Sequence, residues 1–185
     1  MELPKRKNIR HKKHNYNSVG AYFITICVKE RRCILSEIVG TGVPDGPFVE
    51  LSSYGQIADK YIKQFDEFYS DIHIEKYVIM PNHIHLLLRI PYSQENTIHG
   101  PSRTPVPTEE NALIFETKVQ TVQNSIISRF VSTFKRFCNK EYGENIWQPR
   151  SYDHIVRNKY DYDEISEYID KNPLNWMYDN LYPNI

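Results

Sequence analysis

Two histidines one residue apart are the first feature of the chain that could do chemistry. His83 and His85 follow a Pro81-Asn82 turn and begin an apolar run typical of a strand. On a strand, side chains at positions i and i+2 point to the same face, roughly 6 to 7 Å apart along the backbone. The two imidazoles can therefore converge on one metal ion, while Ile84 points to the opposite face, where a core would lie.

A second candidate group lies on a predicted helix near the end of the chain. Tyr168 and Asn172 are separated by four positions, so one helical face carries both, beside the apolar Ile165 and Ile169. If this face meets the two histidines, a phenol and an amide oxygen arrive next to a two-histidine metal site. A divalent ion held in this way keeps open positions and can polarise a phosphodiester for attack by the tyrosine hydroxyl. The product would be a phosphotyrosine link.

Each of these parts also has an ordinary structural interpretation. A His-x-His pair on a strand is more often structural than metal-binding, and any one of the 14 tyrosines is more often a packing residue than a catalytic one. Tyr152, Tyr160 and Tyr162 are rival nucleophiles in the same region. The joint occurrence of the parts on one topology is what favours chemistry.

The elements that must position these groups follow one another in a recognisable order. Strands are predicted over 21–29, 72–80, 83–90 and 152–157, with a loop at 40–47; helices begin at a Ser53–Gln56 capping box, at about Ser125 with a stop at Gly143, and at Asp161 with an end at Pro173. This order predicts an α+β fold of the ferredoxin-like, split βαβ type. Two helices cover one face of an antiparallel sheet, the stripe of Phe130, Phe134 and Phe137 belongs to the core, and an additional C-terminal helix carries the tyrosine across the open face.

Length and composition indicate a single domain over residues 1–185. The chain is 40% hydrophobic, which is enough for a buried core, and no apolar run approaches the roughly 20 residues of a membrane span. Residues 91–110 are rich in proline and polar residues and are predicted to be a flexible insertion. The three cysteines lack Cys-x-x-Cys spacing, which argues against a disulfide framework or a thiolate zinc site and favours the reducing cytoplasm.

Positive charge is concentrated locally although the net charge is zero. A basic arm at residues 1–19 and one helix are the regions expected to contact a phosphate-bearing partner such as DNA, with the residues Lys5, Arg6, Lys7, Arg10, Lys12, Lys13, Arg129, Lys135, Arg136 and Lys140. A solvated tail and a solvated helix face are the alternative interpretations. The overall neutrality argues against a protein that simply coats nucleic acid.

Several motifs in order along the chain resemble a known family. They are Gly20-Ala21-Tyr22-Phe23-Ile24-Thr25-Ile26-Cys27, Met80-Pro81-Asn82-His83-Ile84-His85, Ser132-Thr133-Phe134-Lys135, Trp147-Gln148, Tyr152-Asp153-His154-Ile155-Val156-Arg157 and Tyr168-Ile169-Asp170-Lys171-Asn172-Pro173. Together they cover nearly the whole chain. The sequence thus resembles the REP-associated tyrosine transposases and their insertion-sequence relatives in the HUH endonuclease superfamily.

The resemblance implies cleavage and joining of single-stranded DNA at hairpin-flanked sites. It implies a magnesium or manganese ion bound by His83 and His85, with Asn172 as the third ligand. Tyr168 is implied as the nucleophile, which forms a 5′-phosphotyrosine and frees a 3′-hydroxyl. Relatives include homodimers that exchange the tyrosine helix and monomers that keep it in cis, and both arrangements stay open for this chain.

Two other functions stay in view. One is a ferredoxin-like module that binds nucleic acid without chemistry, and the intact set of His83, His85, Tyr168 and Asn172 argues against it. The other is a zinc hydrolase that uses water, since His-x-His on a strand also suits zinc. The sequence offers that hydrolase no obvious third strong ligand and gives Tyr168 no role in it.

Overall fold

The computed structural model describes residues 19–40, 46–68, 71–92 and 125–183. The strands and helices are β1 Gly20–Cys27, β2 Ser36–Val39, β3 Phe48–Leu51, α1 Ser53–Phe68, β4 His73–Met80, β5 His83–Ile90, α2 Ile126–Tyr142, β6 Tyr152–Val156 and α3 Lys159–Lys171. The six cations predicted in the basic arm lie outside the described residues, as does most of the predicted insertion. No helix in the described ranges combines the length and apolar character that a bilayer span requires.

A four-stranded antiparallel sheet organises the fold, with the strand order β4-β5-β1-β6. Helices α1 and α2 pack on one face, over the apolar side chains that alternate along β1 and β5. The α+β prediction with two helices on one face of an antiparallel sheet is therefore confirmed. Of the two strands joined by the Pro81-Asn82 turn, β5 is central and β4 is at the edge.

The hairpin of β2 and β3 was missed by the sequence interpretation, which assigned only a loop to 40–47. These two strands pair antiparallel with each other and form a separate sheet. Each has four residues, which is too short for alternation to stand out against the neighbouring loop. Part of the predicted loop, residues 41–45, lies outside the described ranges.

Helix ends follow local capping chemistry, with two corrections. Ser125 caps α2 by accepting a hydrogen bond from the Ser128 backbone N–H, and Gly143 ends that helix with φ 75°, as predicted. The predicted Ser53–Gln56 box is wrong by one residue, because Ser52 Oγ accepts from the Gly55 N–H at 3.1 Å. Helix α3 begins at Lys159 instead of Asp161, because the Asn158 side chain is its cap.

The phenylalanine stripe of α2 is only partly in the core. Phe130 and Phe134 are fully buried, as predicted. Phe137 is 37% exposed and stacks on Tyr61 with ring centroids 5.6 Å apart, so it closes the outer margin between α1 and α2. The buried position one residue further along the helix belongs to Cys138.

Candidate active site

The turn at Pro81-Asn82 presents both histidines on the face of the sheet opposite α1 and α2. His83 and His85 are 0% and 3% exposed, and their Nε2 atoms lie 3.0 Å apart. The intervening Ile84 belongs to the main core, as the alternation on β5 requires. The side-by-side arrangement of the imidazoles thus follows from strand geometry alone.

A polar contact at Nδ1 orients each imidazole, so that Nε2 points into the site. Asn82 Oδ1 lies 2.8 Å from His83 Nδ1, while Asn82 Nδ2 donates to the Leu181 carbonyl at 2.8 Å. Because the amide nitrogen is used on that carbonyl, the amide oxygen must accept from His83 Nδ1–H, which leaves a lone pair on His83 Nε2. Thr25 Oγ1 lies 2.9 Å from His85 Nδ1 and can hold the second ring in the same way.

Burial keeps both imidazoles neutral. Desolvation lowers the pKa of His83 and the pKa of His85 well below the usual value for histidine, because the charged form is taken out of water. The nearby Arg31 guanidinium lowers the pKa of His83 further, and the Asp179 carboxylate opposes that effect. Neutral nitrogens that face each other at 3.0 Å offer a lone pair to a cation at physiological pH.

Helix α3 places Tyr168 over these rings. Its hydroxyl oxygen is 3.4 Å from His85 Nε2, and its ring packs at 83° to Phe23. Desolvation, with a smaller effect of Asp179, raises the pKa of Tyr168 to about 12. The hydroxyl is therefore protonated at neutral pH and needs an acceptor before it can attack.

The rival tyrosines do not reach the histidines as Tyr168 does. Tyr160 is 71% exposed in the first turn of α3, about 12 Å along the helix from Tyr168 at 1.5 Å per residue. Tyr162 packs against the Arg89 guanidinium, 5.8 Å from the ring centroid. Tyr152 lies on β6, two strands from β5. Geometry thus singles out Tyr168 among the four.

A carboxylate that sequence reasoning missed completes the cluster. Asp179 follows the short 3₁₀ turn Trp176–Tyr178, and its Oδ2 accepts from the Tyr168 hydroxyl at 3.1 Å. The candidate ligand atoms of His83, His85 and Asp179 all lie within 4.8 Å of one another. The chain after α3 has no periodicity, so no sequence signal indicated that this residue would return to the site.

Asn172 reaches the same cluster at the end of α3. Its side chain is 1% exposed, and its Nδ2 donates to Asp179 Oδ2 at 3.0 Å. Although Pro173 follows, Asn172 keeps helical geometry with φ −58° and ψ −43°. Its Oδ1 is buried and accepts no hydrogen bond from the described residues. The lone pairs of this oxygen are therefore free to bind a metal ion.

The donor set fits a divalent cation. Two neutral imidazoles, a carboxylate and an amide oxygen suit magnesium, manganese or zinc. The 3.0 Å between the Nε2 atoms equals the separation of two ligands at right angles, each about 2.1 Å from a shared ion. The buried amide oxygen of Asn172 is the independent observation, since an acceptor without a donor is costly unless a cation or water satisfies it.

Contacts with β1, β5 and the edge strand β4 hold α3 over the site. Ile169 is buried against Ala21, Phe23 and Leu87. The Lys76 ammonium on β4 donates to Ser166 Oγ at 2.7 Å and to Asp170 Oδ2 at 2.8 Å. The histidine face and the tyrosine helix therefore meet within one chain.

The predicted DNA-binding cations of α2 lie away from these histidines. Arg129, Arg136 and Lys140 are on a helix that covers the opposite face of the sheet. Lys135 Nζ donates to the carbonyls of Gln148 at 2.8 Å and Arg150 at 3.3 Å, and burial lowers the pKa of Lys135 to about 8. The structure thus gives Lys135 a bracing role, and phosphate contacts by all four cations stay predictions.

Comparison with known proteins supports this geometry at the level of the fold. No protein-family model matches the chain. An uncharacterized protein of Haemophilus influenzae is 32% identical over 178 residues, or 96% of this chain and 93% of that protein. The solved structure of a REP-associated tyrosine transposase bound to a REP hairpin is 20% identical, with a TM-score of 0.58 over 92% of this chain and 76% of that chain.

A solved candidate transposase from Deinococcus radiodurans is also similar. It is 16% identical over 88% of this chain and 97% of that chain, but its TM-score of 0.36 is too low to support an argument. The likeness to the REP-associated transposase confirms, for the fold, the resemblance that the sequence motifs indicated.

Proposed function

The chain belongs to the family of its Haemophilus influenzae relative and has the fold of a REP-associated tyrosine transposase, and on this premise we propose that it is a metal-dependent enzyme that cuts and rejoins single-stranded DNA. Its substrates are hairpin-flanked sites, and its intermediate is a 5′-phosphotyrosine. The observation that carries the proposal is the 3.4 Å between the Tyr168 hydroxyl and His85 Nε2.

In the proposed reaction Tyr168 Oη attacks the phosphorus of a phosphodiester. A bond forms between Oη and phosphorus, the bond from phosphorus to the 3′ oxygen breaks, and that oxygen takes up a proton to become a 3′-hydroxyl. Asp179 Oδ2, at 3.1 Å, is the nearest acceptor for the phenolic proton. Rejoining reverses these steps with the 3′-hydroxyl of an incoming strand.

Magnesium or manganese would be held by His83 and His85 with a side-chain oxygen from Asn172 or Asp179. When bound, the ion polarises the phosphodiester and neutralises charge on the phosphate oxygens. The imidazoles are already neutral and oriented by Asn82 and Thr25, so little reorganisation is needed on binding. Mn²⁺ titration by calorimetry should give binding to the wild type and much weaker binding to His83→Ala.

Covalent adduct formation tests the nucleophile. Labelled hairpin DNA with single-stranded extensions is incubated with the protein and Mg²⁺ or Mn²⁺, then resolved on a denaturing gel. We expect a protein–DNA adduct that is lost in Tyr168→Phe and retained in Tyr160→Phe, an exposed tyrosine of the same helix. An adduct that persists in Tyr168→Phe would move the nucleophile elsewhere.

A metal-dependent hydrolase is the second candidate, because Asp179 supplies the third ligand that the sequence interpretation lacked. Two histidines and a carboxylate are a ligand set used by zinc enzymes that activate water. That reaction leaves a free 5′ end and no adduct, and it proceeds in Tyr168→Phe. Metal-independent retention of DNA without cleavage would instead indicate a binding module.

The tyrosine helix acts in cis under this proposal. Supporting contacts are the burial of Ile169 on β1 and β5 and the Lys76 hydrogen bonds to Ser166 and Asp170. Mixing Tyr168→Phe with His83→Ala discriminates the arrangements. Helix exchange between subunits would restore adduct formation in the mixture, whereas helices held in cis would leave it inactive.

The basic arm and the α2 cations are proposed to contribute affinity for DNA phosphates. Because lysines and arginines that neutralise phosphates supply sequence-independent affinity, replacing the arm lysines and arginines should weaken binding and reduce its salt dependence. Cleavage at saturating DNA should persist. Its loss at saturation would contradict this division.

A further inference from the structure

Tyr152 is an exposed aromatic on the flank of the site that the proposed reaction does not use. It begins β6 and is 47% exposed. In the sheet Tyr152 pairs with Thr25, and Thr25 pairs on its other side with His85. Cross-strand partners share a face, so the Tyr152 side chain lies on the histidine face. Two strand spacings, about 10 Å, separate the backbone of Tyr152 from that of His85.

Helix α3 leaves this flank open because of where it is anchored. His154 Nε2 lies 3.0 Å from Asp161 Oδ2, which fixes the first turn of α3 near the second half of β6. From there the helix runs over Phe23 and Leu87 toward Tyr168. Tyr152 lies before His154 on the strand and remains accessible beside the cluster.

The backbone that leads into Tyr152 is braced. The Lys135 ammonium donates to the carbonyls of Gln148 and Arg150. Gln148 in turn donates from its backbone N–H to the Cys27 carbonyl at 2.8 Å and from its side chain to the Val28 carbonyl at 3.2 Å. An aromatic ring on such a fixed support can bind a flat ligand without first being ordered.

Two exposed arginines lie near the strands that carry this flank. Arg150 lies two residues before Tyr152 on the exposed approach to β6. Arg31 is exposed in a turn where it and Glu30 both have positive φ. Its positive charge is close enough to Cys27 and His83 to lower the pKa of each. Backbone strain of this kind is typical of functional sites, and cations beside an aromatic are the pattern of a single-strand binding groove.

We propose that Tyr152 is a stacking platform for an unpaired base of the DNA strand that enters the site, next to the phosphate that Tyr168 attacks. The proposal rests on the proposed function and adds a residue that positions the substrate. Stacking on an aromatic ring is tolerant of base identity, so this contact sets which nucleotide docks without selecting its sequence.

The test uses the full chain carrying Tyr168→Phe, which removes cleavage, and hairpin DNA with single-stranded extensions. Each extension nucleotide is replaced in turn by 2-aminopurine, whose fluorescence is quenched on stacking, and separately by an abasic residue. We expect one position to show quenching that is lost in Tyr152→Leu and retained in Tyr152→Phe. Affinity should fall roughly 5- to 150-fold in Tyr152→Leu.

A double-mutant cycle makes the assignment specific. At the quenched position, the abasic DNA should bind Tyr152→Leu no more weakly than it binds the parent, because ring and base act as one pair. Tyr160→Leu is the matched control and should bind like the parent. Thermal unfolding of each variant verifies that the fold is intact.

Two results would overturn the platform. One is unchanged affinity and quenching in Tyr152→Leu at every position. The other is loss of quenching on substitution of Tyr178, which is 89% exposed beside Asp179, with none on substitution of Tyr152. Adduct formation by the otherwise wild-type chain is measured in parallel, so failure of the platform is distinguished from failure of the proposed reaction.

Discussion

The two faces of the four-stranded sheet are covered in different ways. Helix α2 buries an apolar stripe on one face, whereas α3 has a single fully buried residue, Ile169, on the other. Polar contacts supply much of the remaining attachment of α3, among them Lys76 to Ser166 and His154 to Asp161. The difference indicates that one face carries most of the apolar packing of the fold and the other carries the candidate site.

This division has a physical reason. A face packed by apolar side chains excludes water and gains free energy from burial, but it offers nothing to a phosphate. The histidine face instead buries polar groups that must be satisfied, so its covering helix is small and its contacts are directional. Substitutions on the two faces should therefore separate stability from activity.

The largest effect on stability is expected on the α2 face. Phe134 is fully buried, with ring centroids 6.3 Å from Phe130 and 5.7 Å from Trp147. Phe134→Ala should lower the free energy of unfolding by about 3 to 5 kcal/mol, because it leaves a cavity. Urea denaturation measures the change, and adduct yield per folded molecule should stay near the wild-type value. Loss of adduct formation by Phe134→Ala protein that is fully folded would contradict this separation of stability from activity.

A smaller loss is expected from the α3 face. Ile169→Ala removes the buried contact with Phe23 and Leu87 and should cost about 2 kcal/mol, the low end for such a truncation, because the cluster is small and lies near solvent. Here adduct formation should fall more than the folded fraction does, since α3 positions Tyr168. Hydrogen exchange of α3 amides, faster than in the sheet, would locate the effect. A fall in adduct formation no larger than the fall in the folded fraction would argue against a positioning role of α3.

Lys135 should give stability a pH dependence on the α2 side. Burial lowers the pKa of Lys135 from 10.5 to about 8. Below about pH 8 the ammonium is charged in the folded and the unfolded chain, so its effect on stability is constant. Between there and 10.5 the unfolded chain binds more protons, so the free energy of unfolding should rise with pH, by about 1 kcal/mol after allowance for solvent.

Lys135→Met is the comparison for that rise. Urea denaturation from neutral pH upward should give a profile that lacks this contribution, while other lysines and tyrosines titrate alike in both proteins. Parallel profiles for the two proteins would place the ammonium in a more solvated setting than its contacts with the Gln148 and Arg150 carbonyls indicate.

The smallest effect on stability should come from Lys76. Its partner Asp170 has a side chain 63% exposed, so the ion pair is largely screened. Lys76→Met should lower the free energy of unfolding by about 0.5 kcal/mol, yet reduce the rate of adduct formation several-fold, because α3 loses an anchor on β4. Lys63→Met removes another solvent-exposed ion pair, with Asp59, and should leave the adduct rate unchanged.

Much of the fold could be predicted because local chemistry agreed with it. The Ser125 and Gly143 caps of α2 were visible as residue types, and the alternation on β5 assigned His83 and His85 to one face. The predicted helix and strand positions were wrong where the sequence pattern was short or where two neighbouring residues could play the same role. Two adjacent serines made the start of α1 ambiguous by one residue, and the four-residue strands β2 and β3 were too short to show a period.

The sequence by itself determined the two histidines as a pair and the shared helical face of Tyr168 and Asn172, because both follow from the fixed repeats of strand and helix. Only the tertiary structure decided that these pairs meet, with Tyr168 and His85 separated by 83 positions in the chain. It alone brought Asp179 into the cluster and left Tyr152 beside it. Such contacts depend on how a non-repetitive segment and a sheet edge pack in three dimensions, and no local periodicity encodes that.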